Sequence, residues 1–409
     1  MTAPDREDLE RLAAQVPGPA REVCQTLARA GHEAVCVGGA VRDAILGRAP
    51  GDWDVATSAR PEQVVSLFRR TVPTGLQHGT VTVMAGRGGE RHAVEVTTFR
   101  GEGAYSDARR PDQVVFGVPL EEDLARRDFV VNAIAWDPIG RALVDPFGGR
   151  ADLAARVLRA VGDPAARFGE DGLRIVRAVR FIAVLDFALD PATEAAIPGA
   201  LPSLAKVSRE RVRVELLKLL AGPAAARGLE VARTTGILAQ VLPELADPAP
   251  AIARAAAVAA DPVVRTAALL LDLASESVDA ALRRLTYSNA DRERAVALVR
   301  EVPAIPAAAS DADLRRILAR TGKALAADLA ALRPDLAARF DGAARAPITA
   351  ADLALRGPDV MRILALAPGP AVGDAIRALL ARVLDDPSLN TAATLEKILR
   401  DEIAPASRA

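Results

Sequence analysis

The chain has 409 residues, half of them hydrophobic and 26% charged, and its 52 basic and 53 acidic side chains leave a formal net charge of −1. That length exceeds one ordinary core and suggests two to four domains of soluble globular composition. Near-neutral charge excludes a protein coated in basic surface for indiscriminate nucleic-acid binding, so any polyanion has to be met by local arginine clusters.

The opening MTAPDREDLE is acidic and lacks an apolar core, so no secretory signal is expected. Only Cys24 and Cys36 occur, without a CxxC pair or a histidine at ligand spacing, which points to a reducing cytoplasm and to neither structural zinc nor a disulfide framework. From Glu33 to Ala151, short β-rich runs alternate with turns: EAVCVGG, DWDVATS, GTVTVMAG, HAVEVTTF and FVVNAIAW. AVRDAILG and PEQVVSLFRR between them read as helices, which predicts a mixed domain over 1–150.

Within that domain, Gly38 and Gly39 follow an apolar strand and precede a helix. Glycine there permits close backbone approach, and the amides of a helix start can receive an anion such as a triphosphate. Asp52 and Asp54 are two residues apart, so a strand's period of two puts both carboxylates on one face. Like charges so placed repel unless a divalent cation bridges them. Glu95, between apolar neighbours in HAVEVTTF, can supply a third oxygen ligand. An isolated pair of this kind is commonly surface acid; here the glycines, Arg42, Asp43 and the carboxylates share one short span, which favours the metal reading. Hard cations so held would activate an attacking hydroxyl and neutralise a leaving pyrophosphate.

After Gly149 the pattern turns to periodic segments rich in alanine and leucine, as in RIVRAVRFIAVL, RERVRVELLKLL and DAIRALLARVL, and the remainder is predicted all-helical. The most apolar stretch, AALLLDLA, is interrupted by Asp272, so no membrane span is expected. Breaks near Ala221–Pro223 and Pro303–Ser310 divide this part into 151–222, 223–308 and 309–409. Asp171, Arg174, Arg177 and Arg180 recur every third residue on a predicted helix and share a broad face. The apolar residues between them, Leu173, Ile175, Val176, Val179 and Phe181, predict a buried helix whose charges need partners.

GGAVRDAILGRAPGDWDVAT, LARRDFVVNAIAWD, DPFGG and RFGEDGLRIVRAVRF, in this order and spacing, resemble the branch of the DNA polymerase beta superfamily that holds tRNA nucleotidyltransferases and bacterial poly(A) polymerases. ITAADL, PGPAVG and Asn390 extend the likeness over nearly the whole chain. The resemblance implies an α+β chain: a polymerase-beta-like nucleotidyltransferase head (1–150), then an all-α neck with a base-recognition motif (151–222), a body (223–308) and a tRNA-binding tail (309–409). It further implies Mg2+ at Asp52 and Asp54, and Asp171 with Arg174 as a protein template for the incoming base. The chemistry agrees with the template role, because cytosine and adenine both present an exocyclic amine donor beside a ring-nitrogen acceptor, whereas uracil and guanine present the reverse. Glu170 would orient this pair, and Arg177 and Arg180 would meet phosphate or priming RNA. Arg126, Arg127, Asp128 and Asn132 form a second motif by resemblance, with Arg127 contacting nucleotide and Asp128 and Asn132 positioning ribose or phosphate.

PTGLQHGTVTV resembles the signature of CCA-adding enzymes and lacks the arginine-rich run of poly(A) polymerases. RGEGAYSDARRPDQVVF resembles the complete loop needed to switch from C to A, which disfavours a CC-only enzyme. The expected activity is therefore addition of C, C and A from CTP and ATP to tRNA, with an A-only enzyme as the alternative. A non-catalytic RNA-binding protein is disfavoured because both the acidic and the base-reading pairs are intact. Histidines occur only at 32, 78 and 92, so an additional metal-dependent phosphohydrolase domain is not expected. Arg315, Arg316, Arg320 and Arg339 are candidates for the tRNA elbow, against the plainer reading of a solvated helical face.

Overall fold

Apolar alternation in the first third of the chain builds a sheet. The computed structural model describes residues 6–75, 79–86, 92–101 and 115–403. β1 (Ala34–Val37), β2 (Asp54–Thr57), β3 (Thr71–Gly75), β4 (Thr80–Ala85) and β5 (His92–Thr98) lie where the β-rich runs predict strands. β6 (Arg100–Gly101) and β7 (Val115–Phe116) pair separately, while β8 (Ala135–Asp137) and β9 (Ala142–Val144) complete a sheet of order β3-β4-β5-β2-β1-β8-β9 among the described residues. β2 and β5 run parallel, and the other neighbours are antiparallel. The core of Val35, Val37, Ala56, Phe99, Leu124 and Ala133 is buried beside β1 and β2, so the central strands form a rigid floor.

FVVNAIAW departs from its expected strand. Val130–Asn132 form a 3-10 turn, and only Ala135–Asp137 join the sheet. Asp128 accounts for the curl, because its Oδ1 accepts from the Phe129 amide at 2.8 Å and from Asn132 Nδ2 at 3.0 Å. A short apolar run cannot by itself separate these two outcomes.

α1 (Arg6–Gln15), α2 (Gly18–Arg29), α3 (Gly39–Ile45), α4 (Pro61–Leu67), α5 (Leu120–Ala125) and α6 (Gly149–Ala155) accompany the sheet. Helices then take over: α7 (Pro164–Glu170), α8 (Leu173–Leu185), α9 (Pro191–Leu204), α10 (Arg209–Ala221), α11 (Ala225–Thr234) and α12 (Ile237–Val241). α10 and α11 both pack on α8, so the turn at 222–224 joins helices of one layer. The change from a sheet-bearing first third to helices beyond it is the α+β order expected from sequence, but the part after Gly149 is not wholly helical: Val157–Leu158 and Ala188–Leu189 pair in parallel as a short ladder beside α8.

Asp171 does not share a helix with Arg174, Arg177 and Arg180. α7 ends at Glu170, Asp171 is extended (φ −140°, ψ 104°), and α8 begins at Leu173. The break comes from outside the segment: Gly172 lies against α9, where a Cβ would sit 2.5 Å from the Leu204 amide nitrogen. A periodic sequence pattern carries no sign of such a contact.

The chain divides into two compact units, Met1–Pro243 and Glu244–Ala409. In the second unit, Asp247, Asp261, Ser288 and Ser310 each accept a backbone amide at the start of a helix, which explains where those helices begin. Its C-terminal part holds a core of its own around Leu353, Val360, Leu379, Val383 and Leu395. Among the described residues no helix is long and apolar enough to cross a membrane.

Candidate nucleotidyl-transfer site

The parallel pairing of β2 with β5 sets one residue beside another. Val55 faces Val96, so Asp54 and Glu95, one position earlier on each strand, stand side by side. Both line a cleft of about 400 Å3 whose other walls carry Arg100, Arg126, Arg127, Asp171, Arg174 and Arg177. Asp52 lies just ahead of β2, exposed and separated from Asp54 by the buried Trp53. Burial first, then Glu95 and Asp52, push the Asp54 carboxyl up to about 6, with Arg127 opposing them. Among the described residues none of these three carboxylates has a hydrogen bond or ion pair. An uncompensated negative charge on a rigid strand suits a cation. No cluster of three or more His, Cys, Asp or Glu that could hold a metal ion converges among the described residues.

Arg127 forms the floor between the carboxylates and the helices. Gly38 links β1 to α3 at φ +78°, a backbone state that favours glycine, and a Cβ there would meet Arg127 Nη1 at 3.1 Å. The close approach seats the guanidinium, whose Nη2 reaches Asp123 Oδ2 at 3.4 Å. Burial, opposed by Asp123, lowers the Arg127 pKa, and its buried Nε has no partner among the described residues. Asp123, itself buried, also accepts from Arg126 Nη2 at 2.7 Å and from the Arg100 amide at 3.3 Å.

A second network fixes the helical wall. Arg42 donates to Asn132 Oδ1 at 2.7 Å, and Arg177 Nε donates to Asp128 Oδ2 at 2.7 Å. Burial alone would raise the Asp128 carboxyl, but Arg177, Asn132 and the Phe129 amide outweigh it and hold the group at about 2. Arg180 donates to the buried Glu215 at 2.7 Å and stacks 3.4 Å over the Phe181 ring, with Arg42 and Arg177 over the same ring at 5.1 and 5.4 Å. Arg174 bonds Glu170, the Arg167 carbonyl at 2.8 Å and the Arg126 carbonyl at 3.0 Å. Asp171 accepts from the Leu173 amide at 2.9 Å and from Arg211 Nη2 at 2.7 Å.

The structure thus brings Asp54, Glu95, Arg127, Asp128, Asp171, Arg174 and Arg177 to one cleft. Gly38, Gly39, Arg42, Asn132 and Arg180 stand behind it, touching its walls through Arg127, Asp128 and Glu215. Sequence reasoning missed Asp123, Arg211 and Glu215. The last two recur at i and i+4 within RERVRVELLKLL, a charge pair whose inward direction only the packing of α10 on α8 reveals. Of the expected loop RGEGAYSDARRPDQVVF, residues 102–114 lie outside the described residues, as does His78. Arg315, Arg316, Arg320 and Arg339 are each engaged within the chain, by the Leu384 carbonyl, Asp385, Glu301 and Asp311 respectively.

Carboxylates side by side on adjacent strands, Asp54 and Glu95, facing an arginine-lined wall are the arrangement of a nucleotidyltransferase head; Asp52 stands just outside that lining. Residues 34–159 match the family model for the poly A polymerase head domain, and 186–247 match that for a probable RNA and SrmB-binding site of polymerase A. The CCA-adding enzyme of Geobacillus thermodenitrificans is 40% identical over 378 residues, 89% of this chain and 91% of that protein. That of Geobacillus stearothermophilus is 51% identical over 224 residues, 55% of this chain and 54% of the relative, so in this more similar segment the chain spans about half the relative's length. A crystal structure of the Bacillus stearothermophilus CCA-adding enzyme in complex with CTP matches with a TM-score of 0.78 at 36% identity, covering 95% of this chain and 98% of that one. The chain belongs to the family of CCA-adding enzymes. Nucleotidyltransferases of this family use a divalent metal ion.

Proposed function

We propose that the protein adds C, C and A to the 3′ end of tRNA from CTP and ATP without a nucleic-acid template, releasing pyrophosphate. One observation carries this reading: a single cleft joins unpaired carboxylates at one end to an acceptor and a donor, Asp171 and Arg174, held apart at the other. A nucleotide laid along it has its triphosphate by Asp54 and its base by the helices. The relative crystallised with CTP supports the same reading.

The ion we assign is Mg2+, held by Asp52 and Asp54 with phosphate oxygens, because a few carboxylates plus phosphates and waters suit its octahedral shell. When bound, it lowers the pKa of the attacking hydroxyl and neutralises charge on the leaving group. Glu95 supports Asp54 as the neighbouring carboxylate. Arg127, seated by Gly38, faces the phosphates, and Asp128 with Asn132 and Arg42, the last lying against Gly39, braces Arg177 beside them. Arg180, buried on Glu215, acts as a brace for the helix. The Asp171 carboxylate accepts from the exocyclic amine of C or A, and Arg174 donates to the adjacent ring nitrogen. We keep head 1–150, neck 151–222, body 223–308 and tail 309–409 as the working division, and the reducing cytoplasm as the compartment of Cys24 and Cys36, both buried and free.

The test uses tRNAs lacking CCA, ending in C and ending in CC, each incubated with one nucleotide and Mg2+. Stepwise C, C, A addition is expected. Addition of A alone, and only to the tRNA ending in CC, would replace this reading with an A-adding enzyme.

A further inference from the structure

Asp171 sits in the joint between α7 and α8 rather than in a helix, so its carboxylate direction is not set by a helical turn. Two bonds set it instead: the Leu173 amide on Oδ1 and Arg211 Nη2 on Oδ2. Each carboxylate oxygen accepts more than one donor, so a carboxylate held this way still has room for an amine. Arg174, three residues on, is drawn away from it by Glu170 and by the Arg167 and Arg126 carbonyls. This separation matters chemically, because an Asp171 carboxylate bonded to Arg174 would have less acceptor capacity left for the amine of a base.

Arg211 lies on α10 and lines the cleft, with its side chain 44% exposed. Glu215, one turn further along α10, anchors Arg180 at 2.7 Å and approaches Arg177 at 3.6 Å. α10 therefore presents a cation to the acceptor and an anion to the arginines of α8, which keeps the opposite charges of the wall from collapsing on one another. We infer that Arg211 is a positioning residue for base selection, holding the Asp171 carboxylate clear of Arg174 and Arg177 so that it meets the exocyclic amine of C or A. The inference rests on the reading of Asp171 and Arg174 as the base-selecting pair.

A double-mutant cycle on the full chain tests it. The ratio of CTP to UTP incorporation (kcat/KM) on a tRNA lacking CCA is measured for Arg211→Ala, Asp171→Ala and the double variant. Arg211→Ala is expected to lower the ratio roughly tenfold, the scale of one charge-assisted hydrogen bond, and to lower it no further once Asp171 is already alanine. Arg211→Lys should recover part of the ratio, since a cation returns without its planar fork. If Asp171→Ala leaves the ratio unchanged, the base-selection reading itself fails. If Asp171→Ala relaxes the ratio but Arg211→Ala does not, or if Arg211→Ala acts equally with and without Asp171, the inference about Arg211 alone is overturned. Should Arg211→Ala fail to fold, Arg211→Gln enters the same cycle and is read in the same way.

Discussion

Asp54 carries the sharpest residue-scale consequence. Burial, with Glu95 and Asp52 beside it, raises its carboxyl from 3.8 to about 6. The folded protein without metal therefore holds this proton more tightly than the unfolded chain does. The stabilisation this gives is complete below pH about 4 and is lost as pH rises from there to about 6. Asp54→Asn should flatten that part of the stability profile when unfolding is followed in chelator between pH 4 and 7; an unchanged profile would place the raised pKa elsewhere. Cation binding needs the carboxylate, so stabilisation by added Mg2+ should fade as pH falls through about 6 in the wild type and be weak at every pH in Asp54→Asn. The same substitution should abolish nucleotide addition while tRNA binding persists. Near-normal turnover in Asp54→Asn would remove the metal role.

At the scale of elements, α10 braces α8. Glu215 is 4% exposed, and its loss leaves Arg180, 9% exposed, without its carboxylate. Stranding a buried charge costs about 3–5 kcal/mol, so Glu215→Ala should lower the unfolding free energy by that order in urea, and Glu215→Gln by less. A change under about 1 kcal/mol would mean that the Phe181 stack alone satisfies Arg180. Gly172→Ala attacks the neighbouring joint: overpacking against α9 costs about 1–3 kcal/mol and should swing Asp171, so CTP selectivity and stability fall together. Much of this wall was legible beforehand, because the period of RIVRAVRFIAVL gives α8 and the alternation in HAVEVTTF gives β5, both local patterns. The joint at Asp171, the 3-10 turn at Val130–Asn132 and the partners Asp123, Arg211 and Glu215 were not. The joint and the partners Arg211 and Glu215 depend on contacts between elements far apart in sequence, such as Gly172 against Leu204 or Asp171 against Arg211, and no window along the chain contains both halves. The turn and Asp123 rest on bonds within four residues, from Phe129 and Asn132 to Asp128 and from Arg126 and Arg127 to Asp123, which hydrophobic periodicity does not register.

For the whole molecule, the division after Pro243 separates two demands. Every residue lining the cleft, from Val37 to Arg211, lies in the first unit, along with the sheet core beneath it and the helices that brace it. The second unit has its own core and its own capped helices, and its candidate arginines are paired within it. With a net charge of −1, the chain has no general pull on a polyanion, so tRNA affinity has to be built from a limited set of local contacts. A fragment of residues 1–243 should therefore unfold cooperatively and bind CTP as the full chain does, since nothing at the cleft has been removed. Its tRNA affinity should fall if the second unit grips the tRNA elbow, and the slope of log affinity against log salt should become shallower by roughly 0.7–0.9 for each phosphate no longer neutralised. Filter binding at several salt concentrations reads both quantities. Equal affinity and equal slope in fragment and full chain would show that the first unit alone holds the tRNA. The arginines at 315, 316, 320 and 339 would then be the ion-paired helical face that their acidic and carbonyl partners already suggest.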